Sequence, residues 1–289
     1  MLNFDKILEP YKNIQKIIDS YKGLSDIANA AQAAYQNFQL PLEEIRKSFE
    51  IIDRQNKIIG SLAIPKYFEN FQDIGKRISE NLKKTPESLL LLSKYGWYLD
   101  FDSEMYLPNQ LRNLIINGKV DDVDKILMEY YTENLDRILK NLSDSYPERK
   151  EIFNQIIAAH KEQKYFLTIP SILTQVDGIC FDITTKKYFI TEKKEKKFKH
   201  LPEVATEFAN ISGSIAEAFS MPILNQTAIN SHESKIENFP VKLNRHLIMH
   251  GIDKEFGTKK NSLKCLSLLV YLSDMLTLIN EKNTGYNKL

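Results

Sequence analysis

The sequence predicts an all-α fold from its composition and its hydrophobic periodicity. Ten glycines and ten prolines in 289 residues are fewer than average usage, which favours long helices over a sheet with many turns. The apolar fraction is 43%, including 14 tyrosines and 15 phenylalanines, which can fill a sizeable core. We therefore expect a helical bundle, with room for one short extended hairpin near residues 182–192, where Thr, Tyr, Phe and Ile are concentrated. Apolar residues recur at helical three- and four-residue steps, most clearly at Cys265, Leu269, Leu272, Leu276 and Ile279.

Breaks in composition divide the chain into three parts. Residues 1–84 are predicted to be an N-terminal helical arm, with an apolar stripe between Ile7 and Tyr21. A new helix begins at Thr85, because Thr caps a helix start and the following Pro fits the first turn. Residues 85–145 are then a helical connecting region, in which Trp97 is expected to pack at a corner between helices. Residues 146–289 are the main helical domain and end in an apolar helix.

Charge and cysteine content exclude several classes of protein. The 39 basic and 38 acidic residues give a net charge of +1, so the whole chain does not have the basic balance of a nucleic-acid binder. Two cysteines, Cys180 and Cys265, are too few for a disulfide framework or a zinc ribbon, and we expect buried, reduced thiols. The N-terminus has no secretory signal, and the longest aliphatic run, Leu89 to Leu92, is far shorter than the roughly 20 residues of a membrane span. We therefore expect a cytoplasmic protein without a membrane segment.

One local basic stretch follows the predicted hairpin. A run of lysines is most often a solvated loop, but lysines interleaved with aromatic residues also contact phosphates of single-stranded nucleic acid. The residues proposed for such contact are Lys193, Lys194, Lys196 and Lys197.

Side chains with catalytic potential are concentrated in residues 241–251. Arg245 and His250 are five residues apart, and a helix turns by about 100° per residue, so their side chains would lie roughly 140° apart. A single helix would direct them at different neighbours. A helix that ends at Gly251, or two copies of the chain that meet across a dimer axis, would bring them together.

Three chemistries are compatible with this segment. His246 and His250 are one turn apart and could bind a metal with Asp177 or His232, although Leu247 occupies the position where a zincin needs Glu. Alternatively, both histidines are structural residues at a helix end. In the third, RNA is cleaved without a metal, because a histidine can move the proton of a ribose 2′-hydroxyl and an arginine can stabilise the phosphate.

Asp177 is a single acid within an apolar helix, and a buried carboxylate is costly without a partner. The two candidate arrangements are a pair with Arg245 and a cap on a turn near Gly178.

The residues Asn244 to Gly251 resemble the Arg-x4-6-His signature of the HEPN superfamily, in which a polar residue follows the arginine. The likeness extends over residues 146–289, with an apolar helix before the signature and another after it. It implies a HEPN-type helical bundle that forms a homodimer and cleaves RNA without metal or cofactor. The resemblance would make His250 the general acid or base, Arg245 the phosphate contact and His246 a polar helper. We add Asp177 as the residue that orients Arg245, and Asn244 as a lesser candidate.

The leading hypothesis is a cytoplasmic HEPN-type endoribonuclease that acts as a toxin or antiphage abortive-infection effector. Its partners would be an RNA substrate, a second copy of the chain and a possible antitoxin or regulatory protein. The alternatives are a non-catalytic helical dimer that scaffolds a defence or regulatory complex, and a metal-dependent hydrolase.

Overall fold

The computed structural model describes residues 83–283, apart from residues 105, 194, 196–197 and 210–213. These residues lie in one compact unit that spans Ile78–Leu289. The predicted N-terminal arm, residues 1–84, lies outside the described residues except for its last two.

The described residues are predominantly helical, which confirms the all-α prediction. Short 3-10 helices lie at Pro147–Arg149 and Glu233–Asn238. The α-helices are α1 (83–94), α2 (Leu107–Ile116), α3 (Val120–Glu133), α4 (Leu135–Ser145), α5 (Lys150–Lys161), α6 (Tyr165–Thr184), α7 (Ala205–Phe208), α8 (Ser214–Ser220), α9 (Arg245–Met249) and α10 (Lys259–Asn283).

The last long helix, α10, forms the centre of the fold. Its first turn is capped by Thr258, whose Oγ1 accepts a hydrogen bond from the Asn261 amide at 3.1 Å. The helix packs most extensively against α6 and also contacts α3 and α4. Its residues 262–273 are all buried, so the helix is covered on every side rather than along one stripe, as expected for a helix enclosed by other helices. The five predicted core positions are all buried, which confirms the periodicity argument: Cys265, Leu269, Leu272, Leu276 and Ile279.

The corner after α1 joins the region 85–145 to the rest of the unit. Trp97 follows Gly96, which has a positive φ of 83°, and is fully buried as predicted. Its indole Nε1–H donates to Asp124 in α3 at 2.7 Å, and its ring stacks on Tyr131. Because α3 and α4 also pack on α10, the segments 85–145 and 146–289 belong to the same compact unit.

The helix α6 lies beside α10 and continues through Pro170 to Thr184. By length and composition alone, Tyr165–Thr184 and Lys259–Asn280 could each cross a membrane. The core helix of a soluble protein meets the same criteria, and 83% of the α10 window is buried inside the unit, against 44% of the α6 window. The apolar character of α10 is therefore explained by its central position.

The expected hairpin near residues 182–192 does not form. The helix α6 extends to Thr184, and Thr185 ends it with a left-handed φ of 59°. The following residues form a loop with one antiparallel bridge, between Thr191 and Pro202. Tyr188 of this stretch is fully buried, whereas Ile190 is 39% exposed.

Candidate functional site

The short helix α9 carries the signature residues and is held in place by Asn244. The Asn244 side chain is fully buried and accepts a hydrogen bond from the Leu247 amide at 3.1 Å, which caps the helix start. Its amide nitrogen donates to the carbonyl oxygens of Ala228 (2.7 Å) and Ser231 (2.9 Å). Asn244 therefore fastens α9 to the preceding loop, with all these polar contacts made to the backbone.

The end of α9 is set by Gly251. This residue has a left-handed φ of 69°, and the amides of Ile252 and Asp253 both donate to the carbonyl oxygen of Leu247. The chain thus leaves the helix immediately after His250, which occupies the C-cap position and is exposed. A helix that ends at Gly251 was one of the two arrangements considered from the sequence for bringing Arg245 and His250 together, and their separate contacts show that this ending alone does not do so.

Three imidazole rings form a row on the exposed side of α9. The ring centroids of His246 and His250 lie 4.3 Å apart, and those of His232 and His246 lie 6.0 Å apart. The Glu233 carboxylate lies 3.3 Å from Nε2 of His246, and both side chains are about 40% exposed. The ring planes of His246 and His250 are tilted by 60°, and those of His232 and His246 by 29°. The arrangement offers two adjacent, solvent-accessible proton carriers, with a carboxylate that can orient one of them.

Glu233 was not identified from the sequence. It lies 13 positions before His246, in a polar loop whose 3-10 helix is begun by His232. His232 accepts a hydrogen bond from the Ser234 amide at 3.2 Å, which orients this turn beside α9. The sequence His232-Glu233-Ser234 is a weak signal by itself. Only the fold places Glu233 beside the signature residues.

Arg245 points to a different neighbourhood from the histidines. Its guanidinium carbon lies 5.5 Å from the centroid of the Phe189 ring, a cation–π arrangement. Its backbone amide donates to the carbonyl oxygen of Ile229 at 3.1 Å. The side chain is half-buried, between the loop after α6 and the start of α9.

Asp177 lies near Arg245 but uses its carboxylate to hold the loop. Its Oδ1 accepts hydrogen bonds from the amides of Tyr188 (3.0 Å) and Phe189 (2.9 Å). Burial raises the pKa of Asp177, while the Phe189 amide and the positive charge of Arg245 act in the opposite direction. Asp177 therefore positions the aromatic ring on which Arg245 rests, and its direct hydrogen bonds are to the backbone of a turn.

Within one chain, Arg245 and His250 have separate contacts. Arg245 faces Phe189 and the charge of Asp177, whereas the ring of His250, at the C-terminal end of α9, contacts the ring of His246. The five-residue step thus directs the two side chains at different neighbours, as the helical geometry predicted.

Of the four lysines predicted to contact RNA, Lys193 lies on the loop after α6. Lys193 is exposed, and Lys194, Lys196 and Lys197 lie outside the described residues. In the part of the chain that the structure describes, no group of three or more His, Cys, Asp or Glu side chains is placed to hold a metal ion.

No protein-family model, curated protein or solved structure matches this chain.

Proposed function

We propose that the protein is a HEPN-like endoribonuclease that acts as a homodimer and needs no metal ion. The observation that carries the proposal is the pair of exposed imidazoles, His246 and His250, on a helix whose first residue is Arg245. Two proton carriers and a permanent positive charge are the groups that cleavage at a ribose 2′-hydroxyl requires.

In the proposed reaction, a proton leaves the ribose 2′-oxygen and a proton is given to the departing 5′-oxygen. The His250 imidazole removes the proton of the 2′-hydroxyl, and the 2′-oxygen forms a bond to phosphorus while the bond to the 5′-oxygen breaks. A protonated imidazole returns a proton to the departing 5′-oxygen, so the products are a 2′,3′-cyclic phosphate and a 5′-hydroxyl. His246 lies in ring contact with His250 and is oriented by Glu233. Arg245 stabilises the negative charge that develops on the phosphate oxygens.

The proposal requires a second copy of the chain, because one copy directs Arg245 and His250 to different neighbours. Exposed apolar side chains beside α9 provide a surface for this contact. Met249 and Ile252 are 39% and 56% exposed, and Phe166 and Leu167 at the start of α6 are 55% and 65% exposed. The helix α9 packs on α6, and Phe166 contacts Phe256, which follows Ile252 by four residues. Burial of this surface in a dimer would place the ends of two α9 helices near each other.

The test is cleavage of a single-stranded RNA oligonucleotide in the presence of EDTA. Wild type is expected to cut it, while His250→Ala and Arg245→Ala are each expected to lose at least about 100-fold in rate. Arg112→Ala, which removes an arginine on α2 that pairs with Glu87, is the matched control and is expected to cut like wild type. An oligonucleotide with 2′-deoxyribose at the cleaved position is expected to resist.

Equal cleavage by wild type and His250→Ala would contradict the proposal, as would loss of activity with EDTA. For the proposed role as a toxin or abortive-infection effector, expression of wild type but not of His250→Ala is expected to arrest growth and degrade cellular RNA. A cytoplasmic location and control by an antitoxin or regulatory partner belong to the same proposal.

A second candidate function is a non-catalytic dimerisation module in a defence or regulatory complex. The exposed apolar side chains beside α9 favour it, because they would support a dimer without any chemistry. In that case Leu167→Asp would abolish dimerisation, and neither His250→Ala nor Arg245→Ala would change any activity of the protein.

A further inference from the structure

The last turn of α6 carries an exposed aromatic ring beside a lysine, and neither residue takes part in the proposed reaction. Phe181 is 50% exposed. The Lys187 ammonium, on the loop that follows α6, lies 5.9 Å from the centroid of the Phe181 ring, which is a cation–π arrangement. Phe181 is also about 20 Å along the helix from Leu167, which belongs to the surface proposed for the dimer.

Phe181 is connected to Arg245 through Asp177. Phe181 follows Asp177 by four residues, so the two side chains lie on the same face of α6. The Asp177 carboxylate accepts a hydrogen bond from the Phe189 amide at 2.9 Å, and the Phe189 ring lies 5.5 Å from the guanidinium carbon of Arg245. Two pairs of a cation and a ring, Lys187 with Phe181 and Arg245 with Phe189, therefore lie on either side of Asp177. We call these four residues the cation–ring platform.

The loop that carries half of the platform is fixed by buried contacts. Tyr188 is fully buried, and its hydroxyl accepts a hydrogen bond from Nδ2 of Asn230 at 3.2 Å. The carbonyl oxygen of Lys187 accepts a hydrogen bond from the Val204 amide at 3.3 Å. Because Tyr188 lies between Lys187 and Phe189, its burial holds both of them in place. The platform is thus formed before any ligand binds, which lowers the entropic cost of binding.

The charge of the loop favours an anion. Residues 185–200 contain seven lysines and two glutamates. Lys187 and Lys193 are exposed, and neither forms an ion pair with a carboxylate among the residues that the structure describes. One of the two glutamates, Glu192, accepts a hydrogen bond from the amide of the other, Glu195, at 3.3 Å. The loop therefore has an excess of positive charge, which attracts phosphate groups.

Carboxylates outside the loop do not remove this excess. Asp182, which follows Phe181, is held by the Arg149 guanidinium at 2.8 and 2.9 Å, and Glu207 pairs with Lys186. The charge of Lys187 does favour the ionised form of Asp177, but that carboxylate is bonded to two backbone amides and forms no ion pair with the lysine. The Lys187 ammonium is therefore available to a ligand.

We propose that the cation–ring platform binds single-stranded RNA beside the phosphate that is cleaved. One base stacks on Phe181, Lys187 contacts a neighbouring phosphate, and Arg245 contacts the phosphate that is attacked. The bases of a duplex are stacked on one another and do not reach Phe181, so the platform selects unpaired strands with little preference for sequence. This inference rests on the proposed function for its choice of ligand. Two rings that each lie beside a cation match the alternation of base and phosphate in a strand, whereas a membrane surface requires a broad apolar face.

The test measures binding without cleavage. A fluorescein-labelled 2′-O-methyl RNA of about 10 nucleotides lacks the 2′-hydroxyl that would be attacked. Its affinity for the full-length protein is therefore read from fluorescence anisotropy whether or not the protein cuts RNA. Wild type is expected to bind this strand saturably and to bind a duplex of the same sequence at least about tenfold more weakly.

Phe181→Ala is expected to weaken binding of the strand by about tenfold, because the stacking of one base is lost. Phe181→Trp keeps an aromatic face and is expected to bind at least as tightly as wild type, a result that a purely structural role of Phe181 would not give. Ile126→Ala is the matched control, since Ile126 on α3 is 40% exposed, and its affinity is expected to be unchanged.

Lys187→Gln is expected to weaken binding by about threefold at low salt. It should also reduce the slope of log Kd against log salt concentration by about 0.7, the amount expected for one phosphate contact on a single strand. Lys125→Gln, which changes an exposed lysine on α3, is expected to alter neither quantity.

The proposal is overturned by the absence of saturable binding of the strand up to about 100 µM, or by equal affinity for the duplex. Binding by Phe181→Ala that is as tight as binding by Ile126→Ala would also overturn it. Binding through Phe181 to vesicles of phosphatidylglycerol and phosphatidylcholine, with none to the strand, would assign the platform to a membrane surface instead.

These outcomes are distinct from those of the cleavage test. A protein that cuts RNA in EDTA but binds the strand equally well without Phe181 would contradict the platform alone. A protein that binds the strand through Phe181 but cuts no RNA would contradict the proposed reaction alone.

Discussion

The central helix α10 and the short helix α9 use their side chains in opposite ways. In α10, apolar residues on all sides are buried, and its contacts with α6, α3 and α4 organise the unit. In α9, one side chain of five is buried, Ile248, and the histidines are open to solvent. The helix α9 is too short to be stable by itself and is held by the Asn244 cap and by the turn at Gly251. Stability and the proposed chemistry are therefore carried by different parts of the chain.

The largest effect expected from this comparison is a loss of stability at the centre of α10. Leu269 is fully buried, so Leu269→Ala removes packed methyl groups and leaves a cavity, which is expected to lower the free energy of unfolding by about 4 kcal/mol. Ile116→Ala is the matched control, since Ile116 at the end of α2 is 58% exposed and lies outside the proposed dimer surface, and its expected cost is below about 0.5 kcal/mol. Urea unfolding measures the free energy of unfolding of both variants. Equal losses of free energy in the two would show that α10 is not the centre of the fold.

The next effect concerns Asn244, the residue that fastens α9 to the preceding loop. Asn244→Ala would leave the carbonyl oxygens of Ala228 and Ser231 and the Leu247 amide without their present partner, at a cost of about 3 kcal/mol. Asn113→Ala, at an exposed position on α2, is expected to be nearly neutral. Unfolding in urea again provides the measurement. A variant as stable as wild type would mean that α9 is held by other contacts.

A smaller effect depends on pH and arises from the start of α10. His160 is buried, its Nδ1 lies 2.8 Å from Oγ of Ser262, and burial lowers its pKa to about 4, with a further contribution from the charge of Lys259. The folded state thus keeps the ring neutral where the unfolded chain binds a proton. The contribution of His160 to the free energy of unfolding is therefore fully present above its unfolded pKa of about 6.5. It is lost as the pH falls towards 4.

Between pH 6.5 and 5, this single group is expected to remove about 2 kcal/mol from the free energy of unfolding. His160→Gln should reduce the pH dependence by that amount, while His200→Asn, at an exposed position, should leave it unchanged. An identical pH dependence in wild type and His160→Gln would contradict the assignment.

The same contrast explains what could be predicted from the sequence. The core positions of α10 follow from apolar spacing alone, because burial on a helix obeys a fixed period. The burial of Trp97 and the end of α9 at Gly251 follow from local residue chemistry in the same way. These predictions needed no knowledge of which distant residues meet.

The contacts of the candidate site depend on distant residues and were predicted less completely. Asp177 was expected to pair with Arg245 or to cap a turn near Gly178, whereas its hydrogen bonds go to the Tyr188 and Phe189 amides, which are 11 and 12 positions away. A backbone amide can donate a hydrogen bond whichever side chain its residue carries, so the sequence does not indicate these partners. Glu233 reaches His246 only because the loop before α9 folds back on it. The hairpin near 182–192 does not form: the helix α6 continues to Thr184, and Tyr188 in the loop after it is buried.

The central claim is that Arg245 of one subunit and His250 of another act on the same phosphate. The most direct test is a mixed dimer of an Arg245→Ala chain and a His250→Ala chain, isolated with two different affinity tags and assayed on RNA in EDTA. One of its two sites would then contain both intact groups, so the account predicts about half of the wild-type rate, against losses of at least about 100-fold for dimers of either variant alone. A mixed dimer as inactive as its parents would contradict the account.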